Sequence, residues 1–258
     1  MFDLTGMTAL VTGASGGIGS AIAKSLVAQG AKVALSGTRE DALKAVQAEI
    51  GGETVILPCN LGDSAAVDAL VPSAMDALGG QLDILVNNAG VTRDGLILRM
   101  KDEDWSDVIR INLEAAFRLC RAAAKPMMKA RFGRIISVTS VVGVTGNPGQ
   151  SNYAASKAAV VQFTRTAALE LAAITDRVSH TPDGGPALFF ENVKNSPIPV
   201  VSNLLGSRRR LCLALGVDSL DQASAMMDRL LNGESSSGWL DALKLTAPVS
   251  PSHRFAPR

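Results

Sequence analysis

The chain has 258 residues, 47% of them hydrophobic and 19% charged, enough for one large α/β domain or two smaller ones. Its net charge of +1 argues against a dedicated nucleic-acid or membrane-surface protein, and no apolar run reaches the roughly 20 residues of a membrane span. The start carries no signal-peptide pattern, and the three cysteines, Cys59, Cys120 and Cys212, lack metal-ligand spacing, which suits small buried hydrophobes in a reducing cytoplasm.

Along the first part, five short apolar runs read as strands buried on both faces: TALVTGA (8–14), KVALSG (32–37), TVILPCN (54–60), LDILVNNAG (82–90) and GRIISVTS (133–140). Helical stretches lie between them, as at 18–29 and 41–50. Strand, helix and strand at this spacing predict βαβ units. The expected fold class is therefore α/β, a Rossmann-type doubly wound parallel sheet with right-handed crossovers and its ligand at the carboxyl ends of the strands. Residues 151–173 read as a long alanine-rich helix.

Beyond that helix the pattern changes. SHTPDGGP (179–186) reads as a loop; ALFFENV (187–193) and IPVVSNLL (198–205) read as strand candidates. RRRLCLALGV (208–217) and LDQASAMMDRLLN (220–232) read as helical, with Arg208 to Arg210 as a solvated helix start. Residues 235–238 form a flexible joint, and the Pro-rich end at 246–258 is expected to fray.

A glycine turn, Thr12-Gly13-Ala14-Ser15-Gly16-Gly17-Ile18-Gly19, joins the first strand to the first helix. Glycines there let the backbone approach a pyrophosphate, and the helix N-terminus offers free N–H groups to it. The end of the second strand reads Ser36-Gly37-Thr38-Arg39, with no carboxylate before Glu40 to receive a ribose 2′-hydroxyl. Arg39 can pair a 2′-phosphate, so NADP(H) is the expected cofactor.

A polar cluster follows. Asn88, Ala89 and Gly90 close the fourth strand, Asn112 lies in the helix after Trp105, and Ser140 ends the fifth strand. Tyr153, the only tyrosine, stands four residues before Lys157 and shares a helix face with it. A free phenol has a pKa of about 10, and a nearby ammonium is expected to lower it. Tyr153 would then pass a proton to a carbonyl oxygen. Ser140 would hydrogen-bond the same oxygen, and Asn112 would hold a water linking Lys157 to solvent.

TGASGGIG, NNAG, Asn112, Ser140 and the Tyr153-to-Lys157 spacing together resemble the short-chain dehydrogenase/reductase family over residues 1–173. The stretch NNAGVTRDGLILRMKDEDWSDVIRINLEAAFRLCRAAAKPMM is most similar to its 3-oxoacyl-[acyl-carrier-protein] reductases. The resemblance implies NADPH-dependent reduction of an acyl thioester in cytoplasmic fatty-acid synthesis, by a homo-oligomer that is a dimer or tetramer. It implies Tyr153 as proton donor, Lys157 on the nicotinamide ribose and Ser140 on the substrate. It places the cofactor along Gly13, Ser15, Gly17, Ile18, Gly19, Thr38, Arg39, Asn60, Leu61, Asn88, Ala89 and Gly90. Ser15 stands where many NADPH-using members carry arginine, and Asn60 where an aspartate meets the adenine. Lys129 and Arg131 resemble the docking residues for the acidic carrier protein, or are simply solvated.

The family's C-terminal pattern, a sixth strand with a Pro-Gly turn, a substrate loop and a seventh strand, is missing from this sequence. GGPALFFENV and IPVVSNLLGSRRR instead resemble the N-terminal region of UbiD-type decarboxylases, over residues 174–245. The chain thus reads as a fusion, 1–173 an incomplete reductase domain and 174–258 a UbiD-like fragment with a frayed end. The edge beyond the fifth strand is expected to lack native-like closure and to be prone to aggregation. The alternatives to an active reductase are a dinucleotide-binding remnant without its nicotinamide side, and a misfolded fusion.

Overall fold

The structure, a computed structural model, describes residues 3–173, 201–202 and 211–216. The strands of the first part are β1 (Thr8–Thr12), β2 (Lys32–Gly37), β3 (Thr54–Pro58), β4 (Ile84–Asn87) and β5 (Arg134–Thr139). The helices are α1 (Gly17–Ala28), α2 (Glu40–Ile50), α3 (Ser64–Leu78), α4 (Asp102–Ile109), α5 (Ala115–Ala130), the one-turn α6 (Val142–Thr145) and α7 (Ser151–Ala173). A π-helical turn, Arg110–Glu114, joins α4 to α5. All five predicted strands and the 151–173 helix are present; β2 matches its run, and the other four are one to three residues shorter at one or both ends.

The sheet order is β3-β2-β1-β4-β5-β7-β6, with β6 at Val201–Ser202 and β7 at Leu211–Gly216, and β1 to β5 pair in parallel. Successive residues of a strand face opposite sides. Ala9, Val11, Val33, Leu35, Val86 and Ile136 pack on the side of α1 and α2, against Ile22, Leu26 and Leu43. Leu10, Ala34, Leu85 and Ile135 pack on the other side, against Val67, Leu70, Leu119, Ala123 and Ala168 of α3, α5 and α7. Both faces are covered, which explains why the strands read as unbroken apolar runs rather than alternating ones. The order reverses between β1 and β4, and the carboxyl ends at that point open the crevice where such sheets bind ligands.

The edge beyond β5 differs from expectation. Strand β7 (Leu211–Gly216) lies parallel to β5 along its whole length, from Arg134 opposite Leu211 to Thr139 opposite Gly216. Strand β6 (Val201–Ser202), inside the IPVVSNLL candidate, pairs antiparallel to β7. RRRLCLALGV is therefore not helical over Leu211 to Gly216, and β5 is not left as an open edge. A six-residue apolar run carries no periodicity that separates buried strand from buried helix, and a free row of β5 backbone groups offers it a ladder. The readings made for 179–186, ALFFENV, Arg208 to Arg210, LDQASAMMDRLLN, 235–238 and 246–258 lie outside the described residues.

Candidate active site

The glycine turn brings backbone within reach of backbone. Gly13 has φ +65°, a left-handed conformation that favours glycine, and a Cβ on it would stand 2.9 Å from the Ala89 Cα. A Cβ on Gly19 would stand 2.2 Å from the Gly13 carbonyl oxygen and 2.7 Å from Asn88 Nδ2. Asn88 holds the turn from the next strand: its amide donates to the carbonyls of Thr12 at 3.0 Å and Gly13 at 3.3 Å. The Thr12 hydroxyl in turn accepts from the N–H groups of Asn88 and Ala89. Gly16 precedes α1 and supplies no side-chain cap, so the first N–H groups of that helix face the crevice.

The crevice has a volume of about 480 Å³. Its wall takes in Gly13, Ser15, Gly17, Ile18, Gly19, Thr38, Asn60, Leu61, Asn88, Ala89, Gly90, Tyr153 and Lys157, all expected from the sequence. The exposed Arg39 lies just outside this wall, at the residue preceding α2. Glu40 pairs with Lys44 at 2.8 Å along the helix, which directs its carboxylate away from the role of a ribose acceptor. Asn60 accepts the Gly62 N–H at 2.9 Å. The glycine turn, with an uncapped helix beside it, fits a dinucleotide.

At the far end of the crevice stand the reactive groups. Lys157 is buried, and its Nζ donates to the Val138 carbonyl at 3.0 Å. Burial brings its pKa down to about 8. The half-buried Tyr153 has its phenol pushed above the usual value by desolvation, with a hydrogen bond from Ser140 acting the other way. The expected lowering by the lysine is thus not what this geometry produces. The Nζ lies 5.7 Å from the ring centroid and spends a hydrogen bond on Val138, so desolvation of the phenol outweighs it.

Asn112 also has protein partners that the sequence does not show. It sits buried in the π-helical turn, a distortion common at functional sites. Its Oδ1 accepts the Val91 N–H at 2.8 Å, while its Nδ2 donates to the Val91 carbonyl at 3.0 Å and the Ser156 hydroxyl at 3.2 Å. Both amide protons are used, and only one lone pair of Oδ1 remains for a water. Asn112 first of all fixes the chain just after Gly90.

Several supporting residues escaped the sequence reading. Thr139 donates to the Lys157 carbonyl at 3.0 Å, Ser156 to the Tyr153 carbonyl at 2.8 Å, and Asn152 bonds the Tyr153 N–H at 2.7 Å. Val91, Thr92, Cys59 and Ile111 are among the other residues of the wall. Only burial and long-range pairing reveal these; their residue types carry no local signal. Lys129 and Arg131 end α5 just before β5 begins, at the amino edge of the sheet and opposite the crevice. Cys59 and Cys120 are buried, and the Cys120 sulfur accepts from Asn87 Nδ2 at 3.3 Å.

Residues 7–181 match the short chain dehydrogenase family, and residues 164–230 match the 3-octaprenyl-4-hydroxybenzoate carboxy-lyase N-terminal domain. Nodulation protein G of Rhizobium sp. (strain N33) is 56% identical over 172 residues, 67% of this chain and 70% of that protein. The 3-oxoacyl-[acyl-carrier-protein] reductase FabG of Escherichia coli (strain K12) is 49% identical over 170 residues, 66% of this chain and 69% of that protein. A structure solved as a short-chain alcohol dehydrogenase of Sinorhizobium meliloti 1021 superposes with a TM-score of 0.64 at 36% identity, covering 67% of this chain and 69% of that one. The chain belongs to the short-chain dehydrogenase family of oxidoreductases.

Proposed function

We propose that the chain reduces a 3-oxoacyl thioester, carried by acyl carrier protein, to its 3-hydroxyacyl form with NADPH. The observation that carries this reading is the meeting of Tyr153 and Lys157 in the wall of the crevice that holds the glycine turn, with Ser140 hydrogen-bonded to the Tyr153 phenol. The name of the reductase relatives supplies the substrate class. Gly13 to Gly19, Thr38, Asn60, Asn88 and Gly90 would hold the dinucleotide. When bound, it supplies a hydride to the carbonyl carbon. Tyr153 donates its phenolic proton to the carbonyl oxygen, and the Ser140 hydroxyl hydrogen-bonds that oxygen. Burial holds the phenol protonated at neutral pH, which suits an acid in the direction of reduction. Lys157, charged below about pH 8, holds positive charge beside the phenolate left behind.

The reading extends to the setting. Among the described residues no helix is long and apolar enough to cross a membrane, which is compatible with a cytoplasmic enzyme of fatty-acid synthesis. Residues 1–173 form the reductase unit and 174–258 a segment of UbiD-like origin. Phe117, stacked edge-on against Phe163 at 5.8 Å, and Trp105 are each 43% exposed on the α4, α5 and α7 side, a face suited to a homo-oligomer. A carrier protein bound at Lys129 and Arg131 of the same subunit would sit a full strand length, about 20 Å, from Tyr153. Carrier docking at the crevice end of the sheet is favoured by that distance.

Steady-state oxidation of NADPH with a 3-oxoacyl thioester, followed between about pH 6 and pH 10, tests the reading. The expected profile is level at neutral pH and falls as pH rises through about 8, because Lys157 loses its proton there. A rate that climbs through the same range contradicts the assignment of Tyr153 and Lys157. In a separate measurement, Arg39→Ala weakens NADPH binding about tenfold more than NADH binding, the size of one lost charged hydrogen bond. Equal losses for the two cofactors refute the preference for the 2′-phosphate.

A further inference from the structure

The loop from Val91 to Lys101 leads away from the crevice, whose wall includes its Val91 and Thr92, and little apolar burial holds it. Its Leu96, Ile97 and Leu98 side chains are 62%, 75% and 95% exposed. Polar ties fasten it instead. Asn112 pins its start at Val91. At its middle, the Gly95 N–H donates to the Gly149 carbonyl at 2.8 Å, and Gln150 Nε2 donates to Asp94 at 3.1 Å on the exposed surface.

The buried tie at the far end is Asn152, which is 0% exposed. Its Nδ2 donates to the carbonyls of Arg93 at 3.0 Å and Asp104 at 3.3 Å, and its Oδ1 accepts the Tyr153 N–H at 2.7 Å. One amide thus joins the loop, the first turn of α4 and the turn of α7 that carries Tyr153. A plain helix cap needs only the acceptor. The two donors, both used and both aimed outside α7, do more than cap.

We propose that Asn152 is a positioning residue, which clamps the Val91-to-Lys101 loop and the start of α4 onto the Tyr153 turn and thereby sets the distance between the crevice wall and the phenol. Its effect on turnover rests on the reading of Tyr153 as the proton donor. The clamp itself does not.

Asn152→Asp separates clamp from cap. The carboxylate keeps an acceptor for the Tyr153 N–H but presents oxygen to two carbonyl oxygens. With a cap alone, this variant behaves as the native chain. With a clamp, the buried carboxylate facing two carbonyl oxygens lowers the melting temperature, and the comparisons are made at a temperature where the variant stays folded. Trypsin then cuts after the exposed Arg93, Arg99 or Lys101 about tenfold faster, and kcat falls about tenfold to a hundredfold while the NADPH KM stays within about twofold, the cost of a misplaced reacting group. Asn152→Ser, smaller and uncharged, provides the same comparison should the aspartate variant fail to fold. Native trypsin resistance in the folded variant overturns the proposal. Faster cleavage with native kcat also overturns it, because the loop then has no bearing on Tyr153. A native chain without reductase activity defeats the functional reading, and the trypsin comparison still decides the clamp.

Discussion

Tyr153→Phe lowers turnover of a 3-oxoacyl thioester by about a hundredfold or more, the usual contribution of a positioned general acid. The substitution removes one oxygen from a half-buried ring and leaves the Asn152 bond to the Tyr153 N–H, the Ser156 bond to its carbonyl and the buried Lys157 in place. The glycine turn lies at the other end of the crevice, so NADPH still raises the melting temperature of the variant. A ligand that binds only the folded state does so by mass action, about 2.7 kcal/mol at a hundredfold excess over its dissociation constant. Retained turnover removes Tyr153 from the chemistry. A native chain stabilised by NADPH but unable to turn over substrate is the outcome that favours a dinucleotide-binding remnant.

Leu213→Pro is expected to lower stability sharply. Leu213 stands opposite Ile136 of β5 on one side and Ser202 of β6 on the other, so β7 is an interior strand. Proline there removes a ladder N–H and clashes with the extended pairing, at a cost of about 3 kcal/mol or more. For a domain of this size that is a fall of about 6–12 °C in Tm. A melting temperature unchanged by the proline would mean that β5 does not depend on β7, and that the first 173 residues close their sheet by other means. The measurement bears directly on whether a segment of carboxy-lyase likeness completes a reductase sheet.

The strands and the site were unequally legible. β1 to β5 could be read because strands covered by helices on both faces need unbroken apolar runs, and α7 because twenty-three residues show no breaker. The glycine turn was legible because its neighbours in sequence are also its structural context. β7 was not: LCLALG has the composition of either element, and only the free row of N–H and C=O groups on β5 selects strand. The phenol of Tyr153 was read in the wrong direction because a charge four residues away is visible in sequence, whereas desolvation is a property of the packed site. The hold of Asn112 on the chain after Gly90 was hidden for a similar reason, since its partners Val91 and Ser156 come from other segments.

By itself, then, the order of residues determined the α/β class, the nucleotide-binding turn and the identity of the polar groups, because those depend on local periodicity, backbone freedom and side-chain chemistry. Tertiary structure decided which segment covers β5, how burial sets the protonation of Tyr153 and Lys157, and that Asn152 joins the loop to the Tyr153 turn. Those outcomes arise from contacts between residues far apart in the chain, where desolvation and hydrogen-bond geometry exist only after the elements have packed.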